Sequence, residues 1–357
     1  MVLVGAGHTH LHVLDQAPAL RAAGVELTLV APATFVYSGR ATVVAAGIRR
    51  LEEASLDVAA LARRRGVRHL ATRVTGIDPD GHTLTLEGGA LLPYRVASLN
   101  LGSVVRTEPL EVGPDVATVK PFEQLLGLSG WLASLPAGAR ARCSIVGGGP
   151  TGLELAGLLS HRWGDRVEVT VFERGSTPGA TLAPGARHAA LRQLRRRGVT
   201  IRTEAHVTAV HRDHLVVDGS RHDHVAAVLA TGLIAPPLVT ATGLGDAHGI
   251  PVTPQLVHPR HRDLYAVGDA AFFTARPLPK LGVHGVRQGP VLVRSLLARA
   301  AGEPLPAYRP QRQALQILDL GGGSAVASRG RWWLTGPAMR WLKDGIDQRW
   351  LDRYRTG

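Results

Sequence analysis

The chain has 357 residues, 45% of them hydrophobic and 42 of them glycine, enough for about two to three globular domains. Its net charge of +13, from 41 Lys+Arg against 28 Asp+Glu, has no nucleic-acid-binding module or run of stacking aromatics beside it, so anionic cofactors or an anionic surface are expected and nucleic acid is not. The one cysteine, Cys143, excludes an internal disulfide and fits a reducing compartment; no run approaches the roughly 20 apolar residues of a membrane span, and the expected location is cytoplasmic.

The apolar run Val2 to Val4 leads into Gly5-Ala6-Gly7-His8-Thr9-His10. Glycines there give a turn that tolerates positive φ and lets the backbone approach a phosphate at a helix N-terminus. The third glycine of that fingerprint is replaced by His10. A helix is expected over Leu11 to Ala23, then a strand over Val25 to Val30, which ends in Ala31-Pro32 where an acid would bind a ribose hydroxyl. His8, His10 and His12 alternate without further ligands nearby, so they are read as packing at a helix start and no metal is expected. Tyr37 to Gly47 is expected as a loop under a cofactor ring. From Val74 to Leu92, Asp-Gly and Gly-Gly turns separate short alternating runs, which is the pattern of hairpins. Tyr94 to Ser103 reads as a buried parallel strand closing in the small turn Asn100-Leu101-Gly102.

A helix over Phe122 to Leu135 precedes the second fingerprint, Gly147-Gly148-Gly149-Pro150-Thr151-Gly152, which carries all three glycines after the apolar strand holding Cys143. That cysteine reads as an inert core thiol, lacking exposure and cationic neighbours. Strand Val167 to Phe172 ends at Glu173, at the spacing of the ribose-binding acid, which favours NADH over NADPH; Arg174 beside it would stack on adenine or tolerate a 2′-phosphate. Helix Arg187 to Arg197, strand Val199 to Arg202, hairpin Val207 to Val217 and strand Val225 to Ala230 complete this unit, and Ala230-Thr231-Gly232 echoes Asn100-Leu101-Gly102. Two such units in one chain imply two dinucleotides. The expected fold class is α/β: two Rossmann-like, three-layer ββα dinucleotide-binding domains, the second inserted in the first, plus a C-terminal extension. The divisions fall at 1–106, 107–231, 232–308 and 309–357.

Strand Leu264 to Val267 runs into Gly268-Asp269, and a buried acid at a strand end requires a donor. With this stretch the chain resembles the two-dinucleotide flavoprotein oxidoreductases. Gly5-Ala6-Gly7-His8-Thr9-His10, Tyr37-Ser38-Gly39, Pro279-Lys280-Leu281-Gly282-Val283, Val286-Arg287-Gln288-Gly289-Pro290 and Tyr308-Arg309-Pro310 look more narrowly like type II NADH dehydrogenase-like modules, including those fused to selenide,water dikinase. Arg40-Ala41-Thr42-Val43 departs from the Met-Leu-Pro-Gly of that pattern. The resemblance implies FAD held by Gly5, Gly7, His8, Thr9, Gly102, Gly268, Asp269, Lys280 and Gly282. It implies NAD(P)H held by Gly147, Gly149, Pro150, Thr151, Gly152, Glu173, Thr231 and Gly232. Lys280, with the helix starting near Gly282, is a candidate to stabilise a reduced flavin ring, and Gln288 to line the acceptor side.

The activity so implied is hydride transfer from NAD(P)H to FAD, with electrons passed to a quinone or similar small acceptor. Alternatives are an NAD(H)-sensing flavoprotein that turns over poorly and an oxidoreductase of sulfur or selenium metabolism; the single cysteine disfavours disulfide chemistry. The tail, 331–354, gathers four tryptophans among arginines. Its helix, expected over Ala338 to Arg353, suits the cytoplasmic face of a membrane, a homodimer contact or a cover over the flavin domain.

Overall fold

The computed structural model describes residues 1–136 and 138–355. A five-stranded parallel sheet has the order Leu264–Ala266, Ala97–Leu99, Val2–Val4, Thr28–Val30 and Arg68–Leu70. Its three inner strands, Ala97–Leu99, Val2–Val4 and Thr28–Val30, are almost wholly buried, as strands covered on both faces must be. A second parallel sheet has the order Ala117–Thr118, Ala226–Leu229, Ala141–Val146, Val167–Phe172 and Thr200–Arg202. All of it comes from the chain between strands Ala97–Leu99 and Leu264–Ala266, which are hydrogen-bonded neighbours in the first sheet, so the second unit interrupts the first.

Each unit carries a smaller antiparallel layer. In the first it is Val74–Asp78, Thr83–Leu86 and Leu91–Pro93. In the second, Val207–Val210, His214–Val217 and Ser220–Asp223 form it, with Glu111–Val112 alongside. Helices His8–Asp15 and Gly282–Ala301 cover the first sheet's other side and Pro150–Trp163 covers the second's, giving three layers in each unit.

Three expected elements differ. The helix over 11–23 is two pieces, His8–Asp15 and Ala17–Ala22, because Pro18 has no N–H to donate and its ring crowds the carbonyl of Leu14. The strand over 25–30 shortens to Thr28–Val30. The expected loop 37–47 is a 3₁₀ turn, Ser38–Arg40, followed by helix Ala41–Ala45, whose Val43 and Ala45 enter the core of the second unit. That segment therefore ties the units together.

The C-terminal extension is a three-stranded antiparallel sheet, Gln316–Asp319, Ala325–Arg329 and Trp332–Gly336, running into helix Pro337–Arg355. Leu318, Leu320 and Val326 pack in the second unit's core, while Leu351 and Tyr354 pack in the first's. Trp350 stacks on Tyr37 with ring centroids 4.5 Å apart and meets His8 at 4.8 Å. Trp341 lies nine residues earlier, two and a half turns at about 3.6 residues per turn, and so faces the opposite way. It is 74% exposed.

Candidate functional site

A cleft of about 450 Å³ opens at the carboxyl ends of strands Val2–Val4, Ala97–Leu99 and Leu264–Ala266, where ligands bind in open parallel sheets. Gly5, Gly7, His8, Gly102, Gly268, Asp269 and Gly282 line it, as expected from the sequence. Gly5 has φ +85°, and a β-carbon there would collide with the carbonyl oxygen of Asn100. The turn and the strand end thus close on each other only because residue 5 has no side chain.

His10 shows how the missing third glycine is tolerated. At the matching position of the second unit, a β-carbon on Gly152 would strike the Gly147 carbonyl. In the first unit the corresponding carbonyl, Gly5 O, instead accepts a hydrogen bond from His10 Nδ1 at 2.6 Å. That bond fixes the tautomer: Nε2 is the acceptor, and Ser98 Oγ donates to it at 2.8 Å. Burial pushes the pKa of His10 down to about 4, so the neutral ring is retained. Burial likewise takes His8 to about 4. Thr9 is not on the cleft wall; it is buried and donates to Gly285 O at 2.8 Å, joining the first helix to Gly282–Ala301.

Asp269 has its donors. Lys120 Nζ lies 2.8 Å from Oδ2 and the Ser103 hydroxyl donates to the same oxygen at 2.7 Å. Burial alone would raise this carboxyl, but Lys120 and Ser103 outweigh it and hold the pKa below the ordinary value. Lys120 lies on the cleft wall, as does Arg73. Sequence reasoning gave that place to Lys280, whose ammonium instead donates to the carbonyls of His248 and Asp269 and does not line the cleft. Nothing in sequence links residues 120 and 269; the pairing exists because the interrupted first unit brings the start of the insertion against the returning strand.

In the second unit Gly147 has φ +114°, and a β-carbon there would collide with Ala230 O, the same close approach as in the first. Glu173 at the end of strand Val167–Phe172 accepts from Gly148 N at 2.7 Å and Gly175 N at 2.8 Å, which fixes its carboxylate against the glycine turn. Gly149 caps helix Pro150–Trp163, and the Thr231 hydroxyl donates to Arg106 O beside Gly232. Two glycine cradles at equivalent strand ends are now in place. The model of the pyridine nucleotide-disulphide oxidoreductases matches residues 1–289.

The chain belongs to this family. It is 28% identical over 208 residues to the demethylphylloquinone reductase NdbB of Synechocystis sp., covering 56% of this chain and 51% of that protein. To the type II NADH:quinone oxidoreductase Ndh of Mycobacterium tuberculosis it is 27% identical over 208 residues, covering 52% of this chain and 43% of that protein. The chain thus spans about half the length of these curated relatives. In fold it is similar to the sulfide:quinone oxidoreductase of Aquifex aeolicus, with a TM-score of 0.83 and 18% identity over 99% of this chain and 91% of that one. FAD and NAD(P)H are the cofactors that membership of this family implies.

This member of the family has one cysteine, and Cys143 is buried with its thiol pushed up to about 12 by burial, so no disulfide within the chain takes part. A second cavity of about 210 Å³ lies between the units and the C-terminal sheet. Pro150, Thr151 and Glu154 line one side, and Leu281, Gly282, Val283, Leu315 and Ile317 the other. Gly282 borders both cavities. Gln288, expected on the acceptor side, is buried inside helix Gly282–Ala301, where its Oε1 accepts from Gly268 N at 2.6 Å.

Glu154 was passed over in the sequence because it sits inside the fingerprint as an ordinary helix residue. In the fold its Oε1 accepts from Asp319 N at 2.9 Å and its Oε2 from the Thr42 hydroxyl at 3.0 Å. Burial raises its pKa, opposed by Lys343 and these donors. Lys343, from the C-terminal helix, donates to Gly39 O and Asp347, and Tyr37 donates to the same Asp347. Burial acts to lower the Lys343 pKa, but Glu154 and Asp347 raise it above the usual value. The tail thereby inserts a half-buried cation beside the acid of the second cavity. Among the described residues no group of His, Cys, Asp and Glu is arranged to hold a metal ion.

Proposed function

We propose that the first cradle holds FAD, that the second admits NADH in preference to NADPH, and that electrons from NADH leave the flavin for a quinone or similar small acceptor. The observation that carries this reading is the shared wall at Gly282, where the cleft proposed for FAD meets a second cavity lined by Leu281, Val283 and Ile317 together with the half-buried acid Glu154. FAD supplies the hydride acceptance and onward electron transfer. The chain's residues align and insulate. Gly147, Gly149, Pro150, Thr151 and Gly152 bring the nucleotide's phosphates to a helix N-terminus. Glu173, held by two backbone N–H groups, offers a carboxylate to ribose hydroxyls and repels a 2′-phosphate. Thr231 and Gly232 close the turn beside the nicotinamide. Leu281, Val283 and Ile317 offer apolar contact to a flat acceptor, and Glu154, whose pKa burial raises, stands on the same cavity wall to pass a proton to the acceptor oxygen.

The test mixes the yellow protein anaerobically with NADH or NADPH, follows loss of flavin absorbance, and then adds quinone, oxygen or a disulfide. Bleaching by NADH and return of colour with quinone is the expected result. No bleaching with either nucleotide defeats the reading.

The tail supports docking at the cytoplasmic face of a membrane, where a lipid-soluble quinone is met. Trp332 is 83% exposed and Leu334 63%, with Trp341, Leu342 and Ile346 exposed nearby on the helix. Aromatic and aliphatic side chains flanked by arginine suit a headgroup boundary. No described helix is long and apolar enough to cross a membrane, so the contact proposed is peripheral. Flotation with anionic vesicles, lost in a Trp332→Ser/Trp341→Ser variant, is the expected result; a homodimer that dissociates in that variant without any flotation replaces it.

A further inference from the structure

We propose that the side-chain amide of Asn100 is a cofactor ligand, its Nδ2 donating to the diphosphate of FAD. The inference rests on the assignment of FAD to the first cradle. Its starting point is the internal duplication. Asn100 and Ala230 occupy the same place in the two units: Asn100 N donates to Val4 O at 2.9 Å, and Ala230 N donates to Val146 O at 2.7 Å. Their carbonyl oxygens face the first glycine of each turn, Gly5 and Gly147. One unit carries a methyl there and the other an amide, so the amide serves something the duplicated fold does not itself require.

Its surroundings say what that is. Asn100 is 6% exposed and stands on the wall of the cleft. Its Nδ2 is buried with no hydrogen-bond partner. A buried donor left unpaired is costly, and such groups are rare unless a ligand completes them. The amide fills the gap between the two turns that bracket the cleft. A β-carbon on Gly7 would lie 2.6 Å from both Nδ2 and Oδ1, and one on Gly268 would lie 2.6 Å from Oδ1. Both glycines are therefore required by the amide as well as by the backbone.

The partner must be an acceptor arriving beside Gly7, where the N-terminus of helix His8–Asp15 begins; Lys120 on the same wall offsets the charge of Asp269, with which it pairs. A diphosphate oxygen meets that description, and a neutral amide donates to it without adding charge. Aspartate has the same shape but sets a negative charge against the diphosphate and lacks the donor. Gly268 N does not compete for the cofactor, because Gln288 Oε1 takes its hydrogen bond.

The experiment removes FAD, titrates it back by quenching of flavin fluorescence, and repeats the titration with ADP as a competitor. ADP carries the diphosphate but no ribityl chain. Asn100→Asp is expected to bind FAD about 10- to 100-fold more weakly, as for loss of a hydrogen bond to a charged group, and ADP to weaken by a similar factor. Asn100→Ala is the second variant, expected at about 10-fold. NADH binding to the second cradle, unchanged in each variant, shows that the protein is folded. FAD affinity within about twofold of the parent in both variants overturns the proposal, as does weakened FAD with unaltered ADP competition. A parent protein that binds no FAD at all defeats instead the assignment of the first cradle.

Discussion

Replacing Lys120 by methionine isolates the ion pair that joins the inserted unit to the cleft proposed for FAD. Lys120 Nζ and Asp269 Oδ2 are 2.8 Å apart, with side chains 21% and 10% exposed. At an effective dielectric of about 20, that separation corresponds to about 6 kcal/mol of attraction before desolvation is subtracted. The larger consequence is the carboxylate left behind. Removing one member of a buried pair costs about 3–5 kcal/mol, because the survivor stays buried and uncompensated. Even the lower figure predicts a melting temperature lower by roughly 4 °C, at about 2.1 cal/mol/K of unfolding entropy per residue over the 357 residues.

The sign of the pH dependence follows from the same pair. In the parent, Asp269 titrates below its unfolded value of about 3.9, so its stabilisation is present above that pH and is lost as pH falls. In Lys120→Met, burial acts with only Ser103 and the more distant Lys280 opposed to it, and the pKa rises. The variant's deficit is then greatest at neutral pH and narrows as the pH approaches 4. Melting of the FAD-free proteins between about pH 7.5 and about pH 4.5 measures it. Equal melting temperatures at neutral pH, or a deficit that does not change across the range, would refute the reasoning. Lys120→Arg, which keeps the charge, is expected to recover most of the loss.

Three further outcomes are expected. Gly152→Ala drives a β-carbon into the Gly147 carbonyl and costs about 1–3 kcal/mol locally; NADH affinity falls while FAD content, read from the ratio of flavin to protein absorbance, is retained. An unchanged KM for NADH would show that the second cradle does not hold it. Glu173→Ala frees Gly148 N and removes the charge facing a 2′-phosphate, so the ratio of kcat/KM for NADH over NADPH falls by about tenfold; equal kinetics with both nucleotides contradict the role given to Glu173. Glu154→Gln is expected to leave bleaching by NADH intact and slow recoloration by quinone. In the parent, recoloration declines as pH rises through the elevated pKa of Glu154, and in the variant that limb disappears; a limb that persists places the proton elsewhere.

Where the signal was local, the sequence carried it. A strand, two or three glycines and a helix start lie within about a dozen residues, and both turns fold on the close approach that those glycines permit. Asp269 was legible as an acid needing a donor, and Glu173 as a carboxylate at the end of its strand. Other motif residues bond away from the cleft wall. Gln288 and Thr9 read as site residues from their motifs, yet both are engaged in packing helix Gly282–Ala301, and Lys280 bonds backbone carbonyls.

The sequence by itself determined that this chain has two dinucleotide cradles, because the conformations glycine allows and the alternation of strand and helix act over short stretches. Tertiary structure alone decided what stands around them. Lys120 reaches Asp269, Thr42 reaches Glu154, and Lys343 reaches Asp347 beside Tyr37 only after one unit has been threaded through the other and the tail laid across both. Electrostatic and hydrogen-bond partners are chosen by distance in space, and no spacing along the chain encodes the closure of a sheet by strands 97–99 and 264–266.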